Sequence, residues 1–189
     1  MCSKKGYIRR KRLQTCIMSK NITVKKLPHA ELCAGDSIML SGDIYTVRDA
    51  AHVRLIDILN KKDTLPFNLK DSVIYYAGPT PTPPGKVIGS CGPTTASRMD
   101  IFTPQLLRQG VAATIGKGER SPAVFDAIKE TNSLYLCAVG GAGALLAQCV
   151  TACEVIAFPE LGCEAIRRLT VKDMPLIVGV DREGESVFV

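Results

Sequence analysis

Residues 37–60 read Ser37-Ile-Met-Leu-Ser-Gly-Asp-Ile-Tyr-Thr-Val-Arg-Asp-Ala-Ala-His-Val-Arg-Leu-Ile-Asp-Ile-Leu-Asn60, and the period of the apolar residues changes halfway. The first half holds two β-rich runs, Ser37–Leu40 and Ile44–Val47, on either side of Gly42-Asp43. That spacing predicts two short strands joined by a tight hairpin. From Arg48 onward the period becomes helical. Ala51, Leu55, Ile58 and Leu59 fall at i, i+4, i+7 and i+8, which predicts a helix to about Asn60 with Asp49 as its cap. Arg48 then sits at a strand end and His52 on the first turn of the helix, close together in space.

The same strand-to-helix switch recurs down the chain. Val73–Tyr76 reads as a buried strand that stops at Gly78-Pro79, and Thr80 to Gly85 is a stiff, proline-rich loop. A strand around Lys86–Gly89 leads to Gly92-Pro93, where Pro93 suits the first position of a helix that carries Thr94 and Arg98 on one face. Ser121-Pro122 opens another helix, with Val124, Ala127 and Ile128 as its stripe. Leu134–Val139 is a strand, turned into a helix by Gly140-Gly-Ala-Gly143. That glycine cluster lacks dinucleotide-binding spacing and is read as close packing. A strand at Val155–Phe158, a helix from Gly162 to Leu169 and a strand at Pro175–Val180 follow. No internal repeat is visible. Strands alternating with helices make this an α/β chain.

With 189 residues, 46% of them hydrophobic, the chain has enough material for one core and needs one domain. No run of 18 apolar residues exists, which speaks against a transmembrane helix. The N-terminal charges are followed by no apolar stretch, so they do not form a secretory signal, and the expected location is cytoplasmic. The net charge of +6 is concentrated at one end: residues 1–26 hold nine Lys/Arg and no acid, leaving 15 basic against 18 acidic residues in the rest. Residues 1–20 are read as a basic extension, solvated or poorly ordered, with Met18 as a second candidate start. Residues 21–189 are read as the domain. Such an arm is not taken as a nucleic-acid site. Eight cysteines without a signal peptide point to buried free thiols rather than disulfides. Cys149 and Cys153, four apart on an expected helix, have only two histidines in the chain to complete a metal site, and none is assigned.

Three segments carry the chemistry: Arg48-Asp-Ala-Ala-His52, Gly92-Pro-Thr-Thr-Ala-Ser-Arg-Met-Asp100 and Gly116-Lys117-Gly118. Each sets a cation beside a turn or helix start, where free N–H groups and small hydroxyl residues also face an anion. Two Arg and one Lys suit a small dicarboxylate, and the same set suits a phosphate.

The strings RDAAH, YYAGPTP, GPTTASRMD and IGKG, in this order, resemble the β subunit of the two-subunit class I hydro-lyases, the group of iron–sulfur fumarate hydratases and L-tartrate dehydratases. Single-chain members carry the same unit as a C-terminal domain. The likeness runs from about residue 20 to the C-terminus. It implies a swivelling β/β/α domain, a mixed sheet with flanking helices, packed against a cluster-bearing α subunit in a hetero-oligomer. It also implies hydration of fumarate to malate, a step of the tricarboxylic acid cycle. Arg48, Arg98 and Lys117 match carboxylate-binding positions, and Thr94 matches one implicated in proton transfer. His52 is carried along as a residue that orients substrate or Arg48. A 4Fe-4S cluster is implied too, with ligands from the α subunit and none from this chain. A Thr hydroxyl is a weak base and needs an activating neighbour, which the α subunit would supply. Helix capping remains the plainer reading of Thr94, a satisfied structural residue that of His52, and arginine pairing or helix capping that of Asp49 and Asp100. The alternatives are an L-tartrate dehydratase β subunit and a non-catalytic anion-binding module.

Overall fold

The computed structural model describes residues 19–188. The basic extension, apart from residues 19 and 20, lies outside the described residues, as do Cys2 and Cys16. The rest is a mixed α/β structure built on seven strands. These are β1 (Lys20–Thr23), β2 (Ser37–Thr46), β3 (Val73–Tyr75), β4 (Ala113–Gly116), β5 (Leu134–Cys137), β6 (Val150–Ala157) and β7 (Ile166–Val180). The helices are α1 (Asp49–Lys61), α2 (Thr103–Arg108), α3 (Pro122–Thr131) and α4 (Gly143–Gln148), with short 3-10 turns at Val24–His29, Ala96–Met99 and Pro159–Glu164.

The strands are ordered β1-β2-β3-β4-β5-β7-β6, and β2 also pairs with β7, so β2, β3, β4, β5 and β7 close into a ring. β1 to β5 run parallel to their neighbours, while β7 runs antiparallel to β2, β5 and β6. Closure removes edges from the central strands. It also divides the core in two. Ile38, Leu40, Ile44, Val73, Ile115, Leu136, Leu169 and Val178 belong to one cluster, and the alternate residues Ile74, Tyr76 and Tyr135 join α1, α2 and α3 in the other. Every residue of β3 and β4 is buried, as expected for parallel strands covered on both faces.

Four local expectations are corrected. First, Gly42-Asp43 is no hairpin. β2 runs unbroken from Ser37 to Thr46, with a register shift between Leu40 and Gly42 against β7. Gly42 has φ +127°, and a Cβ there would stand 3.1 Å from the Val24 side chain, so the glycine serves a bulge rather than a turn. Second, residues 86–89 are loop, and a Cβ on Gly89 would collide with the Thr80 carbonyl. Third, residues 162–169 are not a helix. They are the end of a 3-10 turn and the start of β7, whose buried Ile166, Leu169 and Val171 are held by ladders to both β2 and β6. Tertiary pairing overrides a helix-compatible composition there. Fourth, the strand expected at Val155–Phe158 is the end of β6, which starts at Val150, so Cys149 ends α4 and Cys153 lies in a strand. Of the described thiols only Cys91 is buried; Cys137, Cys149 and Cys153 are half-buried, and Cys33 and Cys163 are exposed. The expectation of buried thiols therefore holds for Cys91 alone.

Candidate functional site

Because β2 to β5 are parallel neighbours, their carboxyl ends open on one edge. Arg48 leaves β2 there, Ala77-Gly78 leaves β3, Lys117-Gly118 leaves β4 and Val139-Gly140 leaves β5. Ligand sites of open parallel sheets gather at such an edge. The Gly92–Asp100 segment crosses it. Pro93 bridges to Ala77 and Thr95 to Lys117. The Thr94 N–H donates to the Tyr76 carbonyl at 2.6 Å, and the Thr94 carbonyl accepts from the Lys117 N–H at 3.2 Å. The expected helix at Pro93 is thus corrected: Thr94 is in a strand-like link, and the turn that carries Arg98 begins only at Ala96. Neither the Thr94 hydroxyl nor the Lys117 ammonium has a side-chain partner among the described residues.

Arg48 is mostly enclosed, with 20% of its side chain exposed. It lies against Gly78, where a Cβ would be 2.9 Å from its Cδ and Nη1 and would push the guanidinium aside. Its Nη2 stands 3.5 Å from Glu164 Oε1 and 3.6 Å from Asp49 Oδ2. These separations exceed the 2.7–2.9 Å usual for a charge-assisted hydrogen bond. Its Nε is buried and unpartnered. Arg98, half-exposed, reaches the other oxygen of the same acid, Asp49 Oδ1, at 2.8 Å. Asp49 thereby ties both arginines together. It does not cap α1: the Ala50 N–H donates instead to Glu164 Oε2 at 2.8 Å.

His52 is buried, with its ring stacked on Phe102 and tilted against Tyr76. Its Nδ1 donates to the Arg48 carbonyl at 2.8 Å, which leaves Nε2 as a bare lone pair without a partner. Burial pushes its pKa down to about 4, against the smaller opposing effects of the Arg48 carbonyl and Asp49. The imidazole is therefore neutral at pH 7. Arg48 Nε, Asp49 Oδ2 and His52 Nε2 are the buried side-chain atoms without a hydrogen bond among the described residues, and all three belong to residues 48–52.

Residues that sequence reasoning passed over hold this edge together. Arg120, fully buried, donates from Nε to Asp100 Oδ1 at 2.7 Å, and Asp100 Oδ2 accepts from the Ser121 N–H at 2.6 Å. Further bonds run to Thr114 and Thr103. The pair clamps the end of the Arg98 segment to the turn that carries Lys117. Glu164 comes from 114 residues beyond Ala50. No local pattern announces either residue.

Metal-binding capacity is a separate matter. Among the described residues no group of three His, Cys, Asp or Glu side chains converges. The Cys91 thiol is pushed up to about 12 by burial and then by neighbouring Cys153, so it remains protonated. This donor set does not fit an iron–sulfur cluster, which takes thiolates. A groove of about 510 Å³ lined by Val24, Tyr45 and Lys70 lies where the chain approaches β3 and shares no residue with the site.

Comparison with known proteins adds the family. Residues 7–189 match the model described as Fumarase C-terminus. The chain is 43% identical over 153 residues to the aerobic class I fumarate hydratase of Escherichia coli, which covers 80% of this chain and 28% of that protein. Fumarate hydratase 2 of Leishmania major is 40% identical over 156 residues, again 28% of its length. The putative L(+)-tartrate dehydratase subunit beta of Methanocaldococcus jannaschii is 37% identical over 164 residues, 84% of each chain. The chain thus spans little more than a quarter of the fumarate hydratases and most of the β subunit. With its family model matched almost end to end, this chain belongs to the Fumarase C-terminus family.

Proposed function

We propose that this chain is the β subunit of a class I hydro-lyase that interconverts fumarate and malate, in a site shared with an α subunit. The observation that carries this reading is the set of unpaired buried atoms in residues 48–52, beside two cations delivered from strand ends, Arg48 and Lys117, and a third, Arg98, from the turn that crosses them. Buried polar groups without partners are rare in folded proteins and concentrate where a ligand completes them.

Arg48, Arg98 and Lys117 hold the two substrate carboxylates. Proton loss next to a carboxylate builds a dianion, and the cations must bind it more strongly than the substrate to speed the reaction. Thr94, its hydroxyl without a partner among the described residues, moves that proton with a basic group of the partner. His52, neutral, orients Arg48 through its carbonyl. No step of the hydroxyl chemistry is assigned to this chain; it belongs to the partner and the cluster the partner holds. Four large apolar side chains stand exposed, on α1 beside His52, after Asp100, at the end of β5 and on α4: Ile101 is 80% exposed, Val139 62% and Val53 and Leu145 each 56%. Exposed apolar side chains of this kind suit a protein interface. The same reading takes residues 21–189 as one swivelling β/β/α domain, supported by the closed mixed ring with helices on its outer face. It also takes the assembly to be cytoplasmic.

An L-tartrate dehydratase β subunit is the second reading, favoured by the 84% coverage of the archaeal relative. Tartrate carries one more hydroxyl than malate, and a site built for it would leave polar groups unpaired with malate. Beside Arg48, Ala50 and Ala51 offer only methyl groups, and the Ala50 N–H is already taken by Glu164. The test is kcat/KM for malate and L-tartrate on the chain purified with its partner. Malate is expected to exceed tartrate; a tartrate value about tenfold higher would reassign the substrate and keep the hydro-lyase class. No turnover of either dicarboxylate would favour a non-catalytic anion-binding module.

A further inference from the structure

We infer that Glu164 is the positioning residue for Arg48, holding the guanidinium in place without occupying its hydrogen-bond donors. The inference rests on the reading that Arg48 binds a substrate carboxylate. Its two oxygens do different work. Oε2 accepts the Ala50 N–H at 2.8 Å, which fixes the carboxylate on the first turn of α1. Oε1 stands 3.5 Å from Arg48 Nη2, near enough to balance the charge and too far for a strong hydrogen bond. Both side chains are about four-fifths enclosed, so the pair is weakly screened. Arg48 keeps its Nε and its fork of donors free for a planar carboxylate.

The segment that delivers Glu164 is held for the purpose. Phe158 takes a left-handed conformation at φ +55°, and Gly162, at φ +59° and ψ −114°, breaks the turn just before Glu164. Such strain persists only where the surroundings impose it. Here they do. Arg167 donates to the carbonyls of Gly162, Cys163 and Ala165, three bonds to one short stretch of backbone. Arg54 of α1 lies over the Phe158 ring at 5.9 Å and reaches Glu160. The carbonyl of Cys163 closes on Gly78, the glycine beneath Arg48. Helix α1, the β3 end and the 159–164 turn thus meet around one guanidinium.

The test measures malate kinetics of the assembled enzyme with Glu164→Gln, Glu164→Asp, Arg48→Ala and the double variant Arg48→Ala/Glu164→Gln, with melting temperatures alongside. Glu164→Gln keeps an acceptor for the Ala50 N–H, so melting should change little. Loss of the charge should raise KM about tenfold with kcat nearly unchanged, within the range of couplings between residues of one charge network. Glu164→Asp keeps the charge and should lie closer to the parent than Glu164→Gln; a mere helix cap would rank them the other way. The double variant should be no worse than Arg48→Ala alone. Normal kinetics for Glu164→Gln beside an impaired Arg48→Ala would overturn the role of Glu164 and leave the site intact. Additive effects in the double variant would overturn it equally. An unimpaired Arg48→Ala would instead remove the reading of the site on which the inference stands.

Discussion

Arg120 and Arg48 flank the same strand ends and differ in saturation. Arg120 is fully enclosed and bonded from every nitrogen: it donates to Asp100, Thr114 and Thr103 and lies between the rings of Tyr76 and Tyr135. Arg48 is nearly as enclosed and unspent, with loose ion pairs and an orphaned Nε. A buried guanidinium bonded from every nitrogen holds structure together. One kept in a half-dry position with donors to spare costs folding free energy unless something outside the chain completes it. The difference separates the two arginines where residue type alone cannot.

The sharpest way to break the comparison is Arg120→Ala. It strands the Asp100 carboxylate in the core and cuts the clamp between the Arg98 segment and the Lys117 turn. Removing one member of a buried ion pair costs about 3–5 kcal/mol, so the unfolding midpoint in urea should fall steeply. A loss under about 1 kcal/mol would show that the network is no fastener. Replacing Arg120 and Asp100 together by apolar residues of similar size should recover part of the loss, because no charge is then left unpaired.

Local signals made one half of this picture legible and not the other. The helix at Asp49, the helix after Ser121-Pro122 and the strands at residues 73 and 134 carry their own periodicity, and the structure places them within a residue or two of expectation. Arg48 and Lys117 come to one edge because parallel strands put their ends together, and Arg98 joins them because its segment bridges to Lys117 and its side chain pairs with Asp49. What could not be read is long-range. Gly42-Asp43 looks like a hairpin until β1, β3 and β7 are seen to pair along the whole of β2. The Gly162–Leu169 stretch has a helical look that only the ladders to β2 and β6 overrule. Glu164 accepts the Ala50 N–H, in the first turn of a helix 114 residues earlier. Ser121 occupies the cap position of α3 without a side-chain bond, its N–H being held by Asp100 from another segment. Motif recognition found the cations that gather at this edge and passed over Arg120 and Glu164, which bond across segments far apart in sequence.

His52 sharpens the comparison through pH. Its folded pKa, about 4, lies below the 6.5 of an unfolded histidine. The unfolded chain therefore takes up the proton first as pH falls. The stability tied to the neutral ring is complete above pH 6.5 and is lost down to about pH 4, amounting to about 3 kcal/mol at the acid end. Urea unfolding at pH 7 and pH 4.5 should show this loss in the parent chain and a shallower one in His52→Phe. Equal slopes would mean that the ring titrates in the fold as it does in the unfolded chain, and that burial does not hold it neutral.

The last contrast is kinetic, and here the expected effect on stability is smallest. Arg48→Ala, Arg98→Ala and Lys117→Ala each remove a cation that the fold does not use as it uses Arg120. Lys117 is exposed and has no side-chain partner among the described residues, so Lys117→Ala should move stability by no more than about 0.5 kcal/mol. Arg98 is half-exposed, and its pair with Asp49 is screened by solvent, so its loss should cost little more. Arg48→Ala leaves Glu164 and Asp49 partly enclosed and should cost the most of the three, still well short of Arg120→Ala. On the proposed reading, the order of importance reverses in the chain assembled with its partner. A charge-assisted contact to a substrate carboxylate is worth about 1.5–3 kcal/mol, so each variant should lose at least about tenfold in kcat/KM for malate. Three variants with parent-like kinetics would place the carboxylates elsewhere on the domain. If Arg48→Ala instead unfolds the chain as readily as Arg120→Ala, saturation fails as a criterion and the two arginines are fasteners alike.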